Sequence, residues 1–506
     1  MLSSVATLAS EVAPPPPLAF GINAHVPDHV KALDQAAFLG VDYVRVELPW
    51  FEIERVQDRY ELARTRAAFA LAAGYGVKIL ALLSKTPQWI SAADGVDLPK
   101  DRAHAYPLPH HVGEWRQFVS DMVRWSESEF PGLVIGWELW NEPHSRTFWT
   151  GSAADYRDRI LIPGYDAVKV VDPGALVLGL GGYGYRVQAE CSPALPCGGP
   201  WEGGGELDDV LRGAGAAHLD ALSLHYYYED RGGDNPAEDM RRYLENLARW
   251  LRARELGAKA VWLTETGASS YLVGTQGQAE RLASFMEDVF LSPDNQAFGG
   301  SRYRLDSVAY YDLSENTHGA AEPNPIYRHH GLFLDPEHDL RPCRLAPKPA
   351  ANALAEIINA ARGRYAARLR LDTGGEPATG AGTAVVVATN TGTEAWRASS
   401  AGEVVEVAIR NATACTLGPR GCELLPGAIA LVQRAIIATT VAPGESVALP
   451  VELAAPPETA AGPRRHVVEL QLGRHEPQVP DVCTAAGATS GVLWFGERLT
   501  LFLSAP

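Results

Sequence analysis

The sequence predicts an α/β chain: a parallel (β/α)8 barrel, or TIM barrel, followed by a smaller all-β, immunoglobulin-like sandwich. Three observations carry this reading. Eight short runs rich in Val, Ile, Leu and Tyr alternate with longer Ala-, Arg- and Glu-rich segments of helical period. The alternation extends over more than the ~250 residues that such a barrel needs. Beyond about Tyr365 the helical period disappears, and Gly and Pro punctuate short alternating runs instead.

In chain order, residues 1–17 form an N-terminal arm ending in the stiff tetraproline Pro14–Pro17. The barrel is expected over 18–362, with strands Leu18–His25, Val41–Trp50, Val77–Ser84, Val134–Glu142, Leu176–Gly182, Leu219–Tyr228, Ala260–Gly267 and Ser307–Asp312. Apolar residues spaced three and four apart mark helices at Asp28–Leu39, Glu61–Ala73, Val112–Glu129, Ala153–Val171, Ala237–Glu255 and Gln276–Leu291, and a last one near Lys348–Arg362. A doubly wound open sheet is the alternative arrangement of the same elements. The sandwich is expected over 363–506, with strands at 383–389, 403–410, 428–439, 445–453, 466–472 and 491–503. Its Trp396 and Trp494 read either as core residues or as sugar platforms.

Composition narrows the functional classes. The chain of 506 residues is 46% hydrophobic and 21% charged, ordinary for a water-soluble globular protein, and its length suits two domains. A formal net charge of -17 argues against nucleic acid or an anionic membrane surface as partner, because both require clustered Lys and Arg. No run approaches the ~18 apolar residues of a bilayer span, so membrane insertion is not expected. A neutral substrate fits this balance, and the chain is expected to act as a monomer. Of six cysteines, Cys191 with Cys197 and Cys415 with Cys422 lie close together without the spacing of a zinc site. They read as disulfides of a secreted or extracytoplasmic protein, or alternatively as reduced thiols; Cys343 and Cys483 offer a third pair. The start of the chain lacks the basic residues of a signal peptide.

The chemistry concentrates in "GWELWNEPH", Gly136 to His144. Side chains alternate along a strand, so Glu138, Trp140 and Glu142 are expected on one inward face, with Pro143 ending the ladder. The seventh strand reads "VWLTETG" and brings Glu265 to its carboxyl end, where barrel active sites stand. Two carboxylates facing one another across a barrel mouth suit glycoside hydrolysis, in which one protonates the leaving oxygen and the other attacks the sugar.

On these residues the chain resembles the retaining glycoside hydrolases of clan A, the superfamily of family 5 cellulases and mannanases and family 39 xylosidases. The resemblance covers roughly 18 to 362 and implies a β-glycosidic poly- or oligosaccharide substrate, double displacement, no cofactor and no metal. It assigns Glu142 as acid/base and Glu265 as nucleophile, with Asn141 contacting the sugar 2-hydroxyl. Arg45, in "YVRVELPW", matches the arginine that many clan members place near the nucleophile. In "SLHYYY", His225 is implied in the site and Tyr227 as hydrogen-bond donor to Glu265. The clan's sugar-platform tryptophan after strand eight is replaced by "VAYYDLSEN", which leaves Tyr310 or Tyr311 for that role. Trp89, Trp140, Trp149 and Trp201 are further stacking candidates or core residues, and Glu138 is expected to support Arg45 through a buried ion pair. Endo-action is expected, with an exo-acting β-glycosidase as the alternative.

Two rivals stand beside this reading. Gly179-x-Gly181-x-x-Gly184 matches a dinucleotide fingerprint, but the following "YRVQAECSPALPCGGPWEGGG" lacks the helix that would receive a pyrophosphate. A non-hydrolytic carbohydrate-binding barrel would not need both Glu142 and Glu265. The doublets His110-His111 and His329-His330 read as loop or surface residues, not ligands.

Overall fold

A computed structural model of the chain describes residues 19–182 except 25–34 and 37–38, and residues 205–362 except 212, 228–235, 297–299, 316–324 and 335–345. Beyond 362 it describes 367–372, 382–390, 404–412, 415–418, 421–424, 429–436, 441–453, 465–475 and 492–504. Two compact units share the chain, one of residues 1–28, 42–267 and 284–311, the other of residues 29–41, 268–283 and 312–506.

The first unit holds eight strands: β1 Ala19–Asn23, β2 Tyr43–Pro49, β3 Lys78–Ser84, β4 Val134–Leu139, β5 Val177–Gly179, β6 Ala221–Tyr227, β7 Ala260–Gly267 and β8 Ser307–Tyr310. Each pairs in parallel with its neighbour in sequence, and β8 closes on β1 through Ala19↔Ser307 and Ile22↔Tyr310. The sheet is therefore a closed (β/α)8 barrel, not the open sheet that was the alternative. Helices fill the connections where the apolar spacing required them, apart from Asp28–Leu39, most of which lies outside the described residues. Val112–Glu129 buries Trp115, Phe118, Val119, Met122 and Val123 on one stripe. Pro236–Arg252 opens on proline, with Glu238 and Asp239 in its first turn and Arg249 and Arg252 in its last, charges that complement the helix dipole. The predicted helix over 153–171 starts at a Ser152/Asp155 capping box and contains a π-turn at Arg157–Leu161.

Alternation along the strands builds the barrel interior in layers. Tyr43, Leu80, Leu178, Ala221, Trp262 and Ala309 form one buried apolar cluster, in which the Tyr43 and Trp262 rings lie 5.5 Å apart. Tyr43 Oη lies 2.8 Å from Ser307 Oγ. Two residues further along their strands come Arg45, Ser223 and Thr264, joined by Asn23 of β1 and Glu138 of β4, all buried polar side chains. The apolar cluster is thus the floor of a polar site.

The second unit contains the helices Ser270–Phe285, most of it, and Pro349–Arg362. Lys348 is buried there, its Nζ 2.5 Å from Glu315 Oε1 and donating to Ser270 Oγ at 3.0 Å. Its strands beyond 366 pair antiparallel: 367–372, 382–390 and 446–453 form one sheet, 404–412, 429–436, 465–475 and 492–504 another, and 415–418 with 421–424 a hairpin. The first strand and the hairpin were not expected from sequence. Cys191, Cys197, Cys343, Cys483, Trp201 and Trp396 lie outside the described residues, as do the side chains of Cys415, Cys422 and Trp494.

Candidate active site

Arg45 organises the polar layer. Its Nε donates to Glu138 Oε2 at 2.5 Å, Nη1 to Glu265 Oε1 at 2.6 Å and to Asn23 Oδ1 at 2.9 Å, and Nη2 to Asn141 Oδ1 at 2.9 Å. Burial by itself would make the guanidinium easier to deprotonate, but the two carboxylates outweigh it and hold the charge firmly. Glu138, fully buried, takes further hydrogen bonds from Ser223 Oγ and from Thr264 Oγ1 at 3.2 Å. A buried pair with this many partners is better understood as orientation than as net stability. Asn23 Nδ2 in turn donates to the carbonyls of Thr264 and Tyr310 at 2.9 and 3.3 Å.

Glu265 reaches the interior through an irregularity. Strict alternation from Trp262 and Thr264 would turn it outward. In the β6–β7 ladder, however, Leu224 pairs with Leu263 and His225 with Glu265, so Thr264 is an extra residue. This bulge re-aims Glu265 into the barrel while Thr264 also stays inside. Tyr227 Oη then donates to Glu265 Oε2 at 2.7 Å. Burial, and after it the Glu265 charge, raise the Tyr227 phenol well above its ordinary pKa, so it is a permanent donor.

Glu142 arrives by a different route. β4 ends at Leu139, and Trp140 and Glu142 have φ of 75° and 42°. Left-handed backbone at non-glycine residues costs about 1–3 kcal/mol each and is held only by its surroundings. His225 Nδ1 stands 2.9 Å from Glu142 Oε1 and 3.4 Å from Glu265 Oε2. Burial acts to raise the Glu142 pKa. The hydrogen bond and charge of His225, with His144 and Arg45, prevail, and the carboxyl lies below its ordinary value. His144, on the same turn, is pushed down by its own burial despite the carboxylates around it. Ligating atoms of Glu142, His225 and Glu265 all lie within 4.8 Å of one another, a donor set that also suits a metal ion.

The structure therefore brings together Arg45, Glu138, Asn141, Glu142, His225, Tyr227 and Glu265, all named from sequence. Other expectations need correction. Trp140 does not share the inward face: the positive φ turns it outward against Trp115 and Trp149 at 5.7 and 5.3 Å, with Nε1 donating to the Phe148 carbonyl. Trp140 and Trp149 are each 1% exposed and offer no face to a sugar. Tyr310 is fully buried and alternates with the inward Ala309, so it is no platform; Tyr311, 6.0 Å from the Tyr227 ring, is on the interior side. Trp89 is half-buried, edge-on to Trp50 at 6.2 Å and bonded to the Glu54 carbonyl; its described contacts do not include the carboxylates. His111 pairs with Asp94, His329 with Glu315, and His330 is buried in a loop. Asn23, Ser223, Thr264 and His144 were missed; the first three are found by stepping two residues along a strand, and His144 by proximity to Glu142.

No family model and no curated protein matches this sequence. Solved structures do. The family 39 glycoside hydrolase from Xanthomonas axonopodis pv. citri superposes with a TM-score of 0.50 at 13% identity, covering 92% of this chain and 96% of that one.

The chain shares the fold of that family 39 structure.

A family 39 β-xylosidase from Caulobacter crescentus gives a TM-score of 0.49 at 16% identity, over 79% of this chain and 83% of the other. A family 5, subfamily 18 structure from Streptomyces cattleya gives 0.48 at 17%, over 68% and 80%. The match at this level concerns architecture; the chemistry rests on the side chains of the barrel mouth.

Proposed function

We propose that this chain is a retaining glycoside hydrolase of clan A type, cleaving β-glycosidic bonds of a poly- or oligosaccharide by double displacement. The observation that carries the reading is the placement of Glu142 and Glu265 on either side of His225 Nδ1, with carboxylate oxygens within 4.8 Å of one another. Inverting pairs stand ~6.5–9.5 Å apart and retaining pairs ~5–5.5 Å apart, so the short separation favours a covalent intermediate.

Arg45 donates to Glu265 Oε1 and Tyr227 to its Oε2, which His225 Nδ1 also approaches at 3.4 Å. These two donors orient it toward the barrel mouth. Attack forms a bond from Glu265 oxygen to the anomeric carbon and breaks the glycosidic C–O bond, whose oxygen takes the Glu142 proton. Glu142, now anionic, removes a proton from water; the water oxygen attacks the anomeric carbon and Glu265 departs. Asn141, fixed by Arg45 Nη2, is assigned to the sugar 2-hydroxyl. The first step needs Glu142 protonated, while His225 favours its carboxylate, so the reading places optimal activity on the acid side of neutrality. Substrate burial, which raises a carboxyl pKa, assists.

Residues 18–362 read as the catalytic barrel and 363–506 as an accessory sandwich, a division favoured by the antiparallel strands beyond 366. The protein is read as a secreted monomer. Internal cleavage is the preferred mode and terminal cleavage the alternative. A panel of polysaccharides and aryl β-glycosides with product sizing tests these points, with Glu142→Gln as control. Wild-type activity no greater than that of the variant on every substrate would leave a carbohydrate-binding barrel as the better account.

A further inference from the structure

The ladder between β4 and β5 is short, its only pairs being Trp137 with Val177 and Glu138 with Leu178. Beyond it both strands turn through left-handed backbone, with φ of 75° and 42° at Trp140 and Glu142, and of 82°, 50° and 91° at Leu180, Gly181 and Gly182. The two turns are locked together. Glu142 N–H donates to the Gly181 carbonyl at 2.5 Å, and Gly182 N–H to the Ser223 carbonyl at 3.1 Å. The Tyr156 hydroxyl donates to the Leu139 carbonyl at 2.8 Å and accepts from Leu180 N–H at 3.1 Å, bridging the strand ends where the ladder has stopped.

Both glycines are required by close approach. A Cβ on Gly181 would stand 2.2 Å from the Trp140 carbonyl oxygen, and one on Gly182 would stand 2.5 Å from the His225 ring. The glycine run "GLGG" therefore has a use unrelated to a dinucleotide: it lets one turn pass under the acid/base turn while the next residue seats the imidazole. Tyr156, fully buried and immediately before the π-turn, has its hydroxyl committed to this junction.

We propose that Tyr156, Gly181 and Gly182 are positioning residues for proton transfer, fixing where Glu142 and its partner His225 stand. Tyr156 is fully buried, and its hydroxyl bonds to backbone groups of the two strand ends. The proposal rests on the glycosidase reading and deepens it. The hydrogen bonds of Glu265 come from other strands, from Arg45 of β2 and Tyr227 of β6, and its one link to this junction is the longer 3.4 Å approach of His225 Nδ1, so the acid is expected to feel a change at Tyr156 more than the nucleophile does.

The test compares two aryl β-glycosides of the sugar that wild type hydrolyses best, one with a 2,4-dinitrophenol leaving group and one with phenol. The first leaves without protonation and the second requires it. Full-length Tyr156→Phe and Gly182→Ala are measured beside wild type and Glu142→Gln, with thermal melting to establish that each variant folds. The expected result is a loss of ~10- to 100-fold in kcat/KM on the phenyl glycoside, at least tenfold greater than the loss on the dinitrophenyl glycoside. Tyr156→Phe removes only an oxygen and serves if Gly182→Ala does not fold. Equal losses on both substrates in Tyr156→Phe, with Glu142→Gln showing the leaving-group dependence, overturn the positioning proposal alone. No leaving-group dependence in Glu142→Gln overturns the acid assignment and the proposal with it.

Discussion

Arg45 Nη1 lies 2.6 Å from Glu265 Oε1 while Nε of the same guanidinium lies 2.5 Å from Glu138 Oε2, so one buried cation spans a carboxylate at the rim and a carboxylate beneath it. The fork geometry is what makes this possible, and a lysine ammonium at the same place cannot reproduce it. Arg45→Lys is expected to lower kcat/KM by about 100-fold through misplacement of Glu265. Arg45→Leu strands two buried carboxylates and is expected to cost about 3–5 kcal/mol of stability. Urea denaturation and initial-rate measurements check the two effects separately.

The His225 contact fixes a pH dependence. With the imidazole replaced in His225→Asn, its charge no longer depresses Glu142, whose pKa rises. Because Glu142 must be protonated for the first step, the basic limb of kcat/KM is expected to move to higher pH. A pH profile on an aryl glycoside with a poor leaving group measures it.

Stability follows the same ionisation. A carboxyl depressed in the folded state stabilises the protein above its unfolded pKa of ~4.3, and that contribution is lost as pH falls through the folded value. Wild type is therefore expected to lose melting temperature relative to Glu142→Gln as pH drops below the ordinary carboxylate range, and a differential-scanning series from neutral to acid pH checks it.

Tyr227→Phe removes the donor on Glu265 Oε2. A hydrogen bond to a charged group contributes ~1.5–3 kcal/mol, so kcat/KM is expected to fall roughly 10- to 100-fold. Since burial keeps this phenol protonated, the basic limb is expected to stay where it is in wild type.

The barrel was legible because parallel strands buried on both faces read as runs of Val, Ile and Leu, and because helices such as Val112–Glu129 carry an unbroken apolar stripe. Glu142 and Glu265 were legible as strand-end residues in a known pattern. What alternation cannot show is where alternation fails. The bulge at Thr264 puts two consecutive side chains inside, and the left-handed Trp140 sends an expected inward residue to the helices. Tyr310 and Tyr311 were indistinguishable until the register with Ala309 separated them. The Tyr156 bridge joins residues that only the folded chain brings together, so no local pattern announces it.

The central claim is that Glu142 and Glu265 act as a retaining pair, and the configuration of the first-formed product tests it most directly. Proton NMR of the anomeric signals during early hydrolysis of an aryl β-glycoside by wild type is predicted to show the β-anomer first, with the α-anomer appearing only by mutarotation. Initial release of the α-anomer, or the same turnover from Glu265→Gln as from wild type, would contradict it.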